Sequence, residues 1–184
     1  MSEFRGFIAV EIPISERLQA LHSALDRLPI KMKLVSLENI HITLKFLGQT
    51  KLDQVKEIES IIKNAVTDID PFSIRLQGTG VFPNRKYIKV IWIGISNSLP
   101  LSSIAKQIDE QLVKLGFPRE KRPFSPHMTL GRIKFLNYKE QLLSILDEYK
   151  DTTFSDIAID SILLKKSTLT PSGPIYETIS KITL

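Results

Sequence analysis

The chain has 184 residues, of which 42% are hydrophobic and 24% charged, with a formal net charge of +5 and a sequence pI near 9.4. This composition predicts one globular domain over residues 1–184 with a core of its own. The lack of cysteine excludes disulfides, thiolate metal sites and a cysteine nucleophile. Without a run of 18 apolar residues or a signal-peptide core, we expect no membrane association and a cytoplasmic location. The positive charge favours an anionic partner such as RNA, although 25 basic and 20 acidic residues are also ordinary for a soluble surface.

Hydrophobic periodicity predicts regular elements throughout the first half of the chain. Ser15 is placed to cap the first helix, whose leucine stripe ends before Pro29, and Gly48 ends the second strand. A turn over residues 78–84, rich in glycine and proline, separates the third and fourth strands. The predicted elements are strands at residues 5–12, 39–47, 72–76 and 87–95, and helices at residues 16–28 and 52–65.

The second half continues with a helix over residues 101–115, for which Gly116 is the expected C-terminal cap. A strand begins at His127, a helix follows at residues 138–149, and strands at residues 154–184 are broken by a turn at 170–174. Helices and strands alternate, but several strand pairs follow one another directly. The pattern therefore predicts an α+β fold with largely antiparallel sheets.

Two of the three histidines lie in a repeated frame, His-x-Thr-Leu, that begins at His41 and again at His127. The two copies lie 86 positions apart (127 minus 41), and each falls on a predicted strand. A single His-x-Thr on a strand carries little information. Two in matching frames indicate a duplicated lobe and a site.

Strand alternation predicts which way these side chains point. His41 and Thr43 project to one face with Lys45 beside them. The opposite face, formed by Ile40, Ile42, Leu44 and Phe46, is apolar and is predicted to face the core. His127 and Thr129 are arranged in the same way on the second strand.

Two facing imidazoles and two hydroxyls suit hydrolysis of a phosphodiester. One imidazole can take a proton from water while the other donates one to the leaving oxygen, since a pKa of about 6.5 makes both forms available near neutral pH. The hydroxyls of Thr43 and Thr129 can bind the phosphate oxygens. Lys45 is either a phosphate contact or a solvated residue, and His22 is a packed or surface histidine.

Other reaction classes lack their motifs. Neither His-x-Thr copy carries the additional ligands of a catalytic zinc site, so we expect no metal and no cofactor. The Gly-x-x-x-x-Gly-Lys phosphate loop and the Gly-x-Ser-x-Gly elbow are both missing from the sequence.

At these residues the chain resembles the 2H phosphoesterase superfamily, specifically the LigT-like RNA 2′,3′-cyclic phosphodiesterases. The resemblance covers nearly the whole chain, from the opening strand at residues 5–13, through the two motif blocks at 39–48 and 124–132, to a closing hairpin at 172–176. It implies a bilobal fold in which two pseudo-twofold-related antiparallel sheets line a central groove, with the helices packed outside.

The resemblance also implies roles for individual residues. His41 matches the proton donor to the O3′ leaving group and His127 the base that activates water, a division that sequence physics does not make because the motifs are locally alike. Arg132 matches an arginine that meets the phosphate. Alternation puts Arg132 on the face opposite His127 unless a bulge at Gly131 re-aims it. Phe46 is a base-stacking candidate, but its apolar face predicts core packing.

The implied activity is hydrolysis of RNA 2′,3′-cyclic phosphate ends to a 2′-phosphate. Reversible 2′–5′ joining of RNA, with tRNA halves as partners, is a further possibility that the resemblance raises. A monomer is expected. The alternatives are a non-catalytic module that binds RNA ends, and a phosphodiesterase that acts on 2′–5′ oligonucleotides.

Overall fold

The computed structural model describes residues 2–171 and 173–184, so Ser172 of the predicted turn lies outside the described residues. Two antiparallel sheets and four α-helices make up the described fold. The strands are β1 (Glu3–Glu11), β2 (Lys31–Leu34), β3 (His41–Lys51), β4 (Phe72–Asn84), β5 (Tyr87–Ser96), β6 (His127–Phe135), β7 (Thr153–Ile159), β8 (Ser161–Thr170) and β9 (Gly173–Thr183). The helices are α1 (Glu16–Asp26), α2 (Val55–Val66), α3 (Leu99–Leu112) and α4 (Lys139–Glu148).

The strand order is β3-β1-β8-β9 in one sheet and β2-β6-β5-β4-β7 in the other, with antiparallel pairing throughout. The predicted α+β class with two antiparallel sheets is confirmed. Both sheets and the buried faces of all four helices share one apolar core. Among the described helices none is long and apolar enough to cross a membrane.

The two sheets are matched strand for strand. The run β3-β1-β8-β9 corresponds to β6-β5-β4-β7, with β2 added at the edge of the second sheet. Strand β4 belongs to the first half of the chain but pairs with β5 of the second half, and β8 belongs to the second half but pairs with β1 of the first. Each half therefore donates a strand to the sheet of the other half.

Two predicted helix caps are confirmed. Ser15 accepts a hydrogen bond from the backbone N–H of Leu18 at 3.2 Å, which satisfies one of the free donors of the first turn of α1. After α3, a 3-10 turn over Val113–Leu115 ends at Gly116 with φ of +87°, the left-handed conformation that glycine adopts without strain.

Two predicted boundaries were wrong, and one strand was missed. Strand β3 continues past Gly48 to Lys51, because Leu47 is inserted as a bulge residue and Gly48, at φ +71°, still pairs with Gly6. The whole of the predicted turn at 78–84 belongs to β4, because Gly78, at φ +70°, is an inserted bulge residue and the strand continues past it. The short edge strand β2 was predicted as loop, since Lys-Met-Lys-Leu after a proline carries too little alternation to distinguish it.

Candidate active site

The His-x-Thr strands β3 and β6 flank a groove of about 830 Å³ between the two sheets. Its volume lies in the usual range for a small-molecule site. All five residues singled out from the sequence line it: His41, Thr43, His127, Thr129 and Arg132. The structure thus brings together, in one cavity, residues that come from both halves of the chain.

Each histidine is anchored by the backbone two residues before it. The Nδ1–H of His41 donates to the carbonyl oxygen of Asn39 at 2.7 Å, and that of His127 donates to Ser125 at the same distance. A carbonyl only accepts, so the proton of each neutral imidazole is held on Nδ1. Both Nε2 atoms are therefore available as bases, and both can donate once protonated.

His41 is the more enclosed of the two imidazoles. Its ring lies 5.0 Å from that of Phe7 and meets Tyr176 edge-on at 5.3 Å, and its Nε2 accepts from the Thr43 hydroxyl at 2.9 Å. Burial lowers the pKa of His41, with a smaller push in the same direction from Lys165. The Asn39 carbonyl and the carboxylate of Glu11 oppose this shift.

His127 has a different neighbour. The ring of Phe82 meets it edge-on, with centroids 5.0 Å apart and planes at 89°. Phe82 comes from β4, and Lys165 beside His41 comes from β8, so these flanking residues lie on the strands that the two halves exchange. The local likeness of the motifs therefore does not extend to their surroundings.

Matching bulges break the alternation in both motif strands. In β3, Ala9 opposes Thr43 and Ile8 opposes Lys45, which leaves Leu44 as the inserted residue. Leu44 and Lys45 both face the core, so the alternation is reversed from Lys45 to Leu47, where the next bulge restores it. The predicted placement of Lys45 beside the histidine was wrong.

The buried ammonium of Lys45 instead forms a cluster behind the site. Its Nζ lies 2.7 Å from Oδ1 of Asp109, 2.7 Å from the carbonyl oxygen of Pro118 and 3.1 Å from Oε1 of Glu120. Neither a phosphate contact nor a solvated lysine describes it. These contacts connect β3 to α3 and to the segment that leads into His127.

The same bulge re-aims Phe46. Its side chain is 47% exposed and lines the groove, so the prediction of core packing was wrong. The guanidinium of Arg5 lies 4.8 Å from the centroid of its ring and covers one face. An exposed aromatic ring held in this way is a surface on which a nucleobase can stack.

In β6 the bulge falls one position before the expected one. Thr129 opposes Trp92 and Gly131 opposes Ile91, so Leu130 is the inserted residue. Arg132 is thereby turned to the groove, in the position that corresponds to Phe46 in β3. Strict alternation gave the wrong face for both residues, because a bulge carries no clear mark in a single sequence.

Several groove residues were not singled out as site residues from the sequence. Tyr176 lies against His41 from the hairpin of β8 and β9; burial raises its pKa, while the charges of Arg5 and Arg132 lower it. Lys33 comes from the strand that was missed. Their role follows from tertiary packing, which local patterns do not encode. In the described part of the chain, no group of three His, Asp or Glu side chains is arranged to hold a metal ion.

The comparison with family models gives two consecutive matches to the LigT-like phosphoesterases, over residues 8–92 and 93–176. Each match contains one His-x-Thr-Leu frame, as a duplicated lobe requires.

Curated relatives cover almost the whole chain. A Methanocaldococcus jannaschii protein named RNA 2′,3′-cyclic phosphodiesterase is 44% identical over 179 residues, which are 96% of this chain and 99% of that protein. A Methanothermobacter thermautotrophicus protein of the same name is 33% identical over 174 residues, 94% of each.

Solved structures have the same fold. The Thermus thermophilus protein TT0787 aligns with a TM-score of 0.78 and 26% identity over 98% of this chain and 97% of its own. Apo LigT of E. coli aligns with a TM-score of 0.75 and 21% identity over 100% and 98%. The predicted bilobal architecture agrees with both.

Proposed function

The chain belongs to the LigT-like phosphoesterase family and hydrolyses RNA 2′,3′-cyclic phosphates, and we propose that His41 and His127 carry the two proton transfers of this reaction. The observation that supports the assignment is the pair of Nδ1 anchors, which present two Nε2 atoms to one groove. No nucleophilic side chain is needed, because water supplies the attacking oxygen.

In the proposed mechanism, one neutral imidazole takes a proton from water as the water oxygen attacks phosphorus. The P–O3′ bond breaks, and the second imidazole, charged, gives its Nε2 proton to O3′. The product is a 2′-phosphomonoester with a free 3′-hydroxyl. At the end of the cycle the base is protonated and the acid neutral, and exchange with solvent restores both.

By family likeness His41 is the donor and His127 the acceptor. A donor must be protonated in the complex, whereas burial favours the neutral form of His41 in the free groove. The negative charge of the bound phosphate offsets this burial, because it favours imidazolium. The lowered pKa also makes the imidazolium a stronger acid towards the leaving oxygen.

The phosphate is held by the groups around the imidazoles. In the free groove the hydroxyl of Thr43 donates to Nε2 of His41, and a bound phosphate oxygen can take that hydrogen bond in its place. Thr129 occupies the equivalent position in β6. Arg132, turned inward by its bulge, supplies a positive charge that stabilises the anion.

Phe46 and Arg5 suit the terminal base. The ring of Phe46 has one face covered by the guanidinium of Arg5, and a base can stack on the other. Base–aromatic stacking tolerates all four bases, so this surface predicts weak base preference.

Turnover of a 2′,3′-cyclic mononucleotide, with the product identified by phosphorus NMR, tests the proposal. Wild type should give the 2′-phosphate, and His41→Ala or His127→Ala should abolish most of the rate. His22→Gln is the matched control, since the ring of His22 bonds to the Val35 carbonyl at 2.8 Å and is not among the side chains that line the groove. Tight binding of the cyclic nucleotide without turnover would instead support a binding module.

The proposal also carries the finer expectations of the sequence: tRNA halves as one RNA substrate, a cytoplasmic location and a monomer of one folding unit. Size-exclusion chromatography and a single cooperative unfolding transition test the last of these.

A further inference from the structure

The edge ribbon formed by β2 and β6 carries a row of basic side chains on the face that borders the groove. Lys33 opposes Arg132, and Lys31 opposes Phe135, with Lys134 as a bulge residue beside it. Directly opposed residues of an antiparallel pair point to the same face, and so do the two residues of a bulge. Lys33 and Arg132 line the groove, so the other three continue the same face outward from it.

The five side chains of this ribbon are all exposed, and Phe135 shows 65% of its surface. None of the four cations has an ion pair with an acidic side chain in the described part of the chain, whereas Lys45, Lys165 and Lys166 are each paired. Unpaired cations side by side repel one another, so this arrangement favours binding of a polyanion.

The other end of the groove has the opposite charge. Glu38, exposed on the turn Leu37–Asn39, lines the groove beyond the far end of β2. Electrostatics therefore directs an anionic strand out of the groove along Lys33 and Lys31, away from Glu38. Successive residues on one face of a strand lie about 7 Å apart, a spacing that an extended RNA strand can follow with one phosphate for each cation.

A cyclic phosphate is by its chemistry a 3′ end, so the rest of the RNA leaves the site in one direction only. Given the proposed function, we propose that the β2–β6 ribbon binds the single-stranded RNA immediately upstream of the cyclic phosphate. Lys33, Lys31 and Lys134 contact its phosphates, and Phe135 stacks on a base. Aromatic rings interleaved with cations are the usual surface for single-stranded nucleic acid. The protein would thereby distinguish an RNA end from a free cyclic mononucleotide.

The test compares two substrates, a 2′,3′-cyclic mononucleotide and a hexanucleotide that ends in the same cyclic nucleotide. The double variant Lys31→Gln/Lys134→Gln should raise KM for the hexanucleotide about 10-fold and leave the mononucleotide unchanged, since neither lysine lines the catalytic groove. Each lost phosphate contact should lower the slope of log KM against log salt by about 0.7. Phe135→Ser should raise KM for the hexanucleotide roughly 5- to 100-fold, and this increase should depend little on salt concentration.

The matched control is Lys56→Gln/Lys63→Gln, which removes two exposed charges from α2 on the outside of the fold. This control variant should leave KM unchanged for both substrates. Equal losses for the two substrates, an unchanged hexanucleotide KM in the ribbon variants, or the same loss in the control would overturn the proposal. Thermal unfolding of every variant shows whether it is folded.

A binding measurement distinguishes the proposal for the ribbon from the proposal for catalysis. Fluorescence anisotropy with a labelled hexanucleotide that ends in a 2′-phosphate needs no turnover. If wild type bound it more tightly than Lys31→Gln/Lys134→Gln but cleaved neither substrate, the proposed function would fail and the ribbon would stand. If wild type cleaved both substrates but bound the labelled hexanucleotide no more tightly than Lys31→Gln/Lys134→Gln, only the proposal for the ribbon would be refuted.

Discussion

Replacing Lys45 by methionine tests how the core side of β3 supports the active site. The lysine side chain is 2% exposed and contacts Asp109, which is 15% exposed, together with Pro118 and Glu120. The segment 117–126 has no helix or strand and ends directly before His127. Methionine has nearly the volume of lysine, so Lys45→Met removes the charge and leaves little cavity.

Removal of one partner from a buried ion pair typically costs about 3–5 kcal/mol, because the other charge is left without compensation. Here the carboxylate of Asp109 keeps two hydrogen bonds from the backbone N–H of Glu120, at 3.0 and 3.3 Å, and the Nε atom of Arg119 lies 3.8 Å from it. We therefore expect the lower end of the range, about 3 kcal/mol. This is a large part of the roughly 5–15 kcal/mol that stabilises a typical domain.

Urea unfolding followed by circular dichroism measures this loss, and steady-state kinetics well below the midpoint measures its effect on catalysis. We expect kcat to fall several-fold, since the loop before His127 loses its anchor. Lys45→Met/Asp109→Leu should recover part of the stability, because it removes the charge left behind. A loss below about 1 kcal/mol, typical of exposed pairs, would refute a buried and coupled cluster.

Four further outcomes follow from the groove. His41→Ala and His127→Ala should each lower kcat by about 10²–10⁴-fold, with the double variant little worse than the worse single, as for groups that act as a unit; comparable loss in His22→Ala would place the chemistry elsewhere. Thr43→Ala and Thr129→Ala should cost roughly 1–3 kcal/mol in kcat/KM, and a loss as large as that of a histidine variant would mean a direct catalytic role. Turnover should survive a strong chelator; loss restored by added zinc or manganese would contradict the two-histidine mechanism. The profile of kcat/KM against pH should be bell-shaped, with the midpoint of its alkaline limb below about 6.5, because burial lowers the pKa of His41 in the free enzyme. His41→Ala should remove that alkaline limb. Removal of the acidic limb instead would reverse the two roles.

The parts of the structure that local patterns encode could be predicted from the sequence. The helix caps at Ser15 and Gly116 and the antiparallel fold class depend on residue type and periodicity, which a single chain displays. The repeated His-x-Thr frame likewise located both edges of the groove. The caps and each single frame are decided within a few residues, and the fold class follows from the order of such local elements along the chain.

Most of the errors share one physical cause, which is the β-bulge; the missed strand β2 is the exception. Bulges at Leu44 and Leu130 reverse the faces of Phe46 and Arg132, and one at Leu47 lets a strand continue past Gly48, where it was expected to end. A bulge is selected by the partner strand and by what the turned side chain reaches, so alternation within one strand does not show it. The residue that corresponds to Arg132 in the duplicate is Phe46, so the same bulge geometry turns an ion in one half and an aromatic ring in the other into one groove.

The difference between the two histidines has an origin of the same kind. In the first sheet Phe7 lies between Lys165 on one neighbouring strand and Phe46 on the other. In the second sheet Val90 lies in the same way between Phe82 and Arg132. Because Phe46 and Arg132 correspond, Lys165 and Phe82 also hold corresponding positions. Lys165 places a cation, hydrogen-bonded to Glu11, beside His41, and Phe82 places an aromatic ring against His127. Both lie on exchanged strands, so each half of the chain supplies the neighbour that distinguishes the histidine of the other half. Two motifs that are alike in sequence and in their Nδ1 anchors therefore have different surroundings, which residues far from them in the chain supply. Exchange of strands between the halves thus gives a duplicated fold different neighbours at equivalent positions, which the proposed division into an acid and a base requires.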